Sequence, residues 1–343
     1  MTSATNAVFK PIFIDTLSFE CVSENYAWEA YRQFCEMFLG PIYLMSRIDP
    51  RISKQLITSI NGIQLDLINK YLNFKDFFNP SVFSHLILHN WLSQKKNTKK
   101  NFNSNNSKVS KSQHLNIIKQ LYSFIESLEI LNKKTEWKNY NIESEEEKEG
   151  YVRDKRLTLL SFLKDLNFDL TWDIGSNDGL YSRLLADGYS KQVISMDIDW
   201  MCVEKNYLYN RANNILNVFP ILLDMSNPSP SIGWNNNERT SLYERIGNPD
   251  LIVALAIMHH IINDNIPIQL FIDFLKKNSK SYVIIEFVPL DDPKCQEIFQ
   301  SRIETIRYPS KKQFEELLVK NFKILNSKII NQTNRVLYFL KNK

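Results

Sequence analysis

The sequence predicts an α/β protein: a mostly parallel sheet covered by helices on both faces, preceded by a helical N-terminal region. Three observations predict it. From Leu170 onward, short apolar runs of strand length alternate with amphipathic helix patterns. A turn with glycines at Gly175 and Gly179 joins the first of those runs to the first of those helices. Two final apolar runs, Phe322–Ile330 and Arg335–Leu340, have no helix between them, which implies an antiparallel hairpin at one sheet edge.

The N-terminal region, residues 1–140, opens with the strand-like run Pro11–Phe19. Glu24–Leu39 follows as a helix, with Trp28, Tyr31, Phe34, Cys35 and Phe38 at helical spacing. Gly40-Pro41 is expected to interrupt it before Ile42–Met45. Ile52–Leu72 reads as one or two helices broken at Asn61-Gly62, and Asn79-Pro80-Ser81 as a helix start before Val82–Leu92. Gln94–Gln113 is rich in Asn, Ser and Lys without hydrophobic periodicity, and a disordered loop is expected there. Leu115–Leu131 returns to an amphipathic helix.

The sheet domain is placed at 141–343. Ser144 and Glu147 have the spacing of a capping box, starting a helix that runs to about Asn167. Strands are then expected at Leu170–Ile174, Gln192–Ile198, Val218–Leu223, Asp250–Ile257 and Tyr282–Val288. The helices between and after them are Leu180–Ala186, Trp200–Ala212, Pro267–Lys277 and Lys311–Lys320. A long polar loop with Pro228, Pro230 and Gly233 separates the third strand from the fourth.

Composition narrows the function. The 343 residues are 43% hydrophobic, enough to build a sizeable core. Four widely spaced cysteines, with no Cys/His cluster, argue against disulfides and zinc. No signal peptide is visible, and the longest apolar runs, such as Leu251–Met258, are too short to span a bilayer. A cytoplasmic protein without a membrane partner is therefore expected. Lys95, Lys96, Lys99, Lys100, Lys108 and Lys111 lie in the one polar tract. Removing these six charges from a formal net of +4 leaves −2, so the remainder has no excess positive charge to hold a phosphate backbone.

The chemistry concentrates at strand ends. The first turn reads Asp173-Ile-Gly175-Ser-Asn177-Asp178-Gly179. A dinucleotide fingerprint would require glycine where Asn177 and Leu180 stand, and Asp173 and Asp178 would repel a pyrophosphate. Carboxylates there suit a ligand that carries an amino group or a sulfonium and no phosphate. The pattern Asp173-x-Gly175-x-x-x-Gly179 resembles the first motif of class I S-adenosylmethionine (SAM)-dependent methyltransferases. That resemblance implies a Rossmann-like, seven-stranded methyltransferase sheet, a methyltransferase activity and SAM as cofactor. It continues with Asp197 at the second strand end, which matches the family's ribose-binding acid, with Asp199 as the alternative. Asp224-Met225 resembles the adenine-recognising pair, and Asp250–His260 the fourth-strand motif beside the transferred methyl. The segments FIDTLSFE, WEAYRQFCEMFLGP, NGIQLDL, TEWKNY, NPSPSIGW and IEFVP are similar to a bacterial methyltransferase family often labelled nodulation-protein-related. Members of that family begin upstream of Met1, so an N-terminal portion is expected to be missing.

The expected cofactor-binding residues are thus Asp173, Gly175, Asn177, Gly179, Asp197, Asp224 and Met225. His260 is expected as a pocket residue beside a core His259. His260 and Glu286, at the fifth strand end, are the candidate catalytic groups. Trp234, Glu238 and Arg239 are candidates for a wall of the substrate pocket. Asn227-Pro228-Ser229-Pro230 resembles the Asn-Pro-Pro-Tyr signature of amino-methylating nucleic-acid enzymes but follows the wrong strand. Asp15 lacks the glycine-rich and catalytic loops that a kinase requires. The reading is methyl transfer to an oxygen, nitrogen or carbon of a small-molecule or glycan-like substrate. RNA or protein methylation, or SAM binding without catalysis, is the alternative.

Overall fold

The computed structural model describes residues 27–98, 109–130, 145–302 and 304–343. Among these, the chain forms two compact units. One comprises the described residues of Lys134–Pro228 and Leu242–Lys343. The other comprises those of Ile12–Lys133 together with Ser229–Ser241. The strand-like run Pro11–Phe19, Asp15, the segment TEWKNY and the Ser144–Glu147 capping box lie outside the description.

The first unit is built on a seven-stranded sheet ordered β3-β2-β1-β4-β5-β7-β6. Its strands are β1 Phe168–Ile174, β2 Ser190–Asp197, β3 Val218–Leu222, β4 Leu251–Ala254, β5 Tyr282–Phe287, β6 Phe322–Ile329 and β7 Val336–Asn342. The first five are parallel; β7 inserts antiparallel beside β5 and β6 closes the edge as its hairpin partner. Every β4 residue is buried, the continuous apolar run that parallel strands covered on both faces require. One face packs Trp172, Ile252, Ile285 and Phe314, and the other packs Leu159, Val193, Val253 and Phe339. The strand order reverses direction between β1 and β4, which opens a crevice beyond their carboxyl ends.

Expected and observed elements agree closely through this unit, and Trp200–Ala212 is matched end for end. Three helices were not legible, the first of them Leu242–Ile246 before β4. The expected strand Asp250–Ile257 ends at Ala254, and Met258–Asn263 is a separate helix. Ala256 takes φ 49° between them, a left-handed turn that an apolar run does not announce. Pro293–Phe299 is likewise helical, capped by Asp292, whose side chain accepts from the Lys294 amide. The helix expected to reach Asn167 ends at Leu163.

In the second unit, Gly40-Pro41 does not interrupt the helix. Tyr31–Phe34 runs through a π-helical turn, Cys35–Leu39, straight into Gly40–Arg47. The Gly40 amide reaches back to the Cys35 carbonyl, and this wider turn carries the backbone past the missing donor of Pro41. Asn79 caps the next helix by accepting from the amides of Ser81 and Val82, with Pro80 in the first turn, as expected. The Gln94–Gln113 tract is helical at both ends: one helix extends to Thr98 and the next starts at Lys111 behind a Ser110 cap. Residues 99–108 lie outside the description. The unit's core gathers Cys35, Leu39, Leu44, Ile68, Leu86 and Phe124. Buried Asp76 accepts from the Tyr43 hydroxyl at 2.7 Å, the Asn73 amide at 2.7 Å and Arg47 Nε at 3.2 Å. No described helix is long and apolar enough to cross a membrane.

Candidate active site

The carboxyl ends of β1 to β4 and the helix Met258–Asn263 enclose one cavity within the first unit. Gly175, Asn177, Asp197, Asp224, Met225 and His260, expected from four separate stretches of sequence, all line it.

The β1 turn is held by backbone geometry. Gly175 and Gly179 adopt φ 73° and 82°, where side chains are strained. A Cβ on Gly175 would stand 3.0 Å from Ile257 Cδ1, and one on Gly179 would meet Asn206 Oδ1 at 2.2 Å. Asn177 is left-handed at φ 50°, which its short polar side chain tolerates, and its Oδ1 accepts from the Asp178 amide. The Asn177 amide donates to Asp197 Oδ2 at 2.7 Å, while Asp197 Oδ1 accepts from the Asp199 amide at 2.8 Å. Both strand ends thereby fix the Asp197 carboxylate on the cavity wall. Asp199 is not the alternative lining acid; its carboxylate caps the following helix through the Met201 amide.

Asp173 and Gly179 are not among the lining residues. Asp173 is 2% exposed and accepts from Ser182 Oγ at 2.5 Å. That hydroxyl meets Ser195 Oγ at 2.8 Å, which accepts from Asn206 Nδ2 at 2.7 Å. Burial pushes the Asp173 carboxyl up to about 6 despite the Ser182 hydrogen bond, and the negative charge of Asp197 adds to the rise. Burial raises Asp197 as well. Two neighbouring carboxylates with raised pKa values, Asp173 buried and Asp197 half-buried on the cavity wall, are what a cationic ligand would relieve.

The cavity is also lined by His259 and His260, with ring centroids 4.2 Å apart. Burial holds both neutral, lowering His259 to about 2 and His260 to about 4; Asp264 partly offsets the latter. Ser226 Oγ donates to Asp264, tying the β3 end to the helix beneath His260. Ser226, Asp264 and Lys294 are lining residues that sequence reasoning missed. A Ser two residues past Asp224 was the only local signal.

Glu286 is not brought into the cavity wall. Its carboxylate is wholly buried, accepts from the Tyr151 hydroxyl at 2.9 Å, and pairs with Lys155 at 2.5 Å and Arg335 at 3.7 Å. Arg335 in turn makes a two-pronged pair with Asp292, at 2.7 and 2.9 Å. Burial alone would raise the Glu286 carboxyl; Lys155 and then Arg335 more than offset it, so the group is held below its ordinary range. A committed anion of this kind is a poor proton acceptor. Trp234, Glu238 and Arg239 do not line the cavity and belong to the second unit.

No family model matches the chain. It is 26% identical over 338 residues to the nodulation protein NoeA of Rhizobium meliloti (strain 1021), covering 96% of this chain and 69% of that one. Among solved structures it is similar to the N-methyltransferase NodS of Bradyrhizobium japonicum WM9 in complex with S-adenosyl-L-homocysteine. That match has 12% identity, 60% of this chain, 96% of that chain and a TM-score of 0.44. It is also similar to the magnesium protoporphyrin IX methyltransferase ChlM of Synechocystis PCC 6803 with bound SAM, at 14% identity, 62% and 87% coverage and a TM-score of 0.41. The strand order β3-β2-β1-β4-β5-β7-β6, with its antiparallel terminal hairpin, is the Rossmann-like seven-stranded sheet that the sequence predicts for the first unit.

Proposed function

We propose that the protein is a SAM-dependent methyltransferase acting on a small-molecule or glycan-like acceptor. The observation that carries this reading is the single cavity that joins the β1 glycine turn, the Asp197 carboxylate, Asp224-Met225 and His260. The donor set suits SAM: carboxylates at the ends of β2 and β3 for hydroxyls and an amino group, and Met196, Ile198, Leu223 and Ile257 for a flat base. Raised Asp173, behind the turn, stabilises a nearby positive charge. When bound, SAM supplies a methyl group already activated by its sulfonium.

The protein's work is then alignment, which contributes about 7–11 kcal/mol in favourable cases. Asp197 is fixed by two backbone amides, so it orients a ligand hydroxyl with little reorganisation. Neutral His260 accepts a hydrogen bond from the acceptor's O–H or N–H; its low pKa makes it an orienting group rather than a proton store. Glu286 takes no part in this reading.

Calorimetry with SAM and S-adenosylhomocysteine tests the proposal. Micromolar binding by the wild type and a loss of tenfold or more in Asp197→Ala are expected. Undetectable wild-type binding, or unchanged affinity in the variant, refutes it. Transfer of labelled methyl into fractionated extract identifies the acceptor class.

A further inference from the structure

Trp234 is the most exposed large hydrophobic side chain among the described residues, at 84%. It stands on a built support. Ile232 and Arg239 form an antiparallel bridge with both backbone hydrogen bonds, at 2.9 and 3.1 Å. The turn between them is closed by Asn236 N to Gly233 O and Asn237 N to Trp234 O. Asn235 and Asn236 take φ 53° and 56°, a conformation that asparagine tolerates and β-branched residues do not. The Ser241 amide donates to Ser231 Oγ at the base. Arg239 turns inward, and its Nη2 donates to the carbonyls of Leu56 and Ile57 at 2.7 and 2.9 Å. A hairpin so anchored presents its five tip residues, Trp234 to Glu238, all exposed, without an ordering cost on binding.

The chemistry of that tip selects its ligand. An indole offers a broad face of negative potential, which attracts the weakly positive C–H bonds of a saturated ring. Asn235, Asn236 and Asn237 add amide donors and acceptors, and Glu238 adds an acceptor, matched to neutral hydroxyls. The tip has no cation, because Arg239 is spent on carbonyls. A phosphate, a nucleic-acid backbone or an anionic lipid surface therefore finds no counter-charge.

We propose that the Ile232–Arg239 hairpin is a sugar-binding platform, on which Trp234 stacks against a pyranose face while the neighbouring amides and Glu238 pair its hydroxyls. This rests on the glycan-like reading of the acceptor and is independent of the cofactor assignment.

The indole N–H resonances of the full chain test it. The sequence has six tryptophans, and the Trp234 signal is assigned by its loss in Trp234→Phe. The probes are short neutral oligosaccharides of glucose and of N-acetylglucosamine. A saturable shift of the Trp234 signal is expected with one of them. Trp234→Ala, at an exposed site that leaves the fold intact, should weaken binding about tenfold or more, with Trp234→Phe in between. Arg239→Ala should weaken it through loss of the anchored hairpin. No shift with any probe, a shift confined to another indole, or equal affinity in Trp234→Ala overturns the proposal, as does a response to anionic lipid vesicles in place of sugars. S-adenosylhomocysteine binding, measured in parallel, separates the outcomes: sugar binding without it sinks the methyltransferase reading and leaves the platform standing, and the converse does the reverse.

Discussion

Replacing Glu286 by Gln separates two incompatible roles for a strand-end carboxylate. Lys155, Arg335, Glu286 and Asp292 are each under 8% exposed and balance to zero charge. Gln keeps the shape and an oxygen for the Tyr151 hydroxyl, yet leaves two buried cations facing one anion. Breaking a buried pair from one side costs about 3–5 kcal/mol. At about 2–4 °C per kcal/mol for a domain of this size, the unfolding midpoint should fall by roughly 6–20 °C. Thermal and urea unfolding, followed by the fluorescence of fully buried Trp172, measure it. Glu286→Gln combined with Lys155→Met restores the balance and should recover part of the loss. The sign with pH follows from the depressed folded pKa: the stabilisation is present above the unfolded value near 4.5 and disappears as pH falls through the folded one. The variant should lack that acid limb. An unfolding free energy within about 0.5 kcal/mol of wild type, with methyl transfer abolished, would refute the structural role and restore a catalytic one.

Three other outcomes are expected. Gly179→Ala should lose about 1–3 kcal/mol in urea unfolding, since its φ of 82° and the Asn206 amide 2.2 Å from the new Cβ act together. His259 and His260 have folded pKa values below the ordinary 6.5, so stability is present above pH 6.5 and falls as pH drops toward 4, by up to about 1.4 kcal/mol per unit for each histidine. His259→Phe should flatten that slope in a pH series of melts. Asp76→Ala should destabilise the second unit by about 2–4 kcal/mol, measured by urea unfolding, because it strands the buried Tyr43 hydroxyl and the Asn73 amide.

The sheet was legible because its strands and helices are local patterns: β-branched runs, glycine turns and helical spacing all lie within a dozen residues. The cavity wall at the ends of β2 and β3 was legible for the same reason, since Asp197 and Asp224 follow recognisable strands. What stayed hidden depends on partners far along the chain. Whether Glu286 faces ligand or counter-ion is decided by Lys155 and Arg335, more than a hundred residues before it and about fifty after it. Asp173, expected as a cofactor-binding residue, lies on β1 away from the cavity wall, and its burial under Ser182 follows from how the next helix packs. Gly40-Pro41 is a helix breaker by local rules and was overridden by one π-helical turn.

The membership of Ser229–Ser241 in the second unit has a consequence for biosynthesis. Arg239, whose guanidinium binds the carbonyls of Leu56 and Ile57, leaves the ribosome roughly 180 residues after them. At about 5–20 residues per second, that is a wait of roughly 9–36 s. Until then the emerging N-terminal helices hold two carbonyls open for a residue not yet made. A contiguous fragment ending before residue 229 would lack the arginine that binds them.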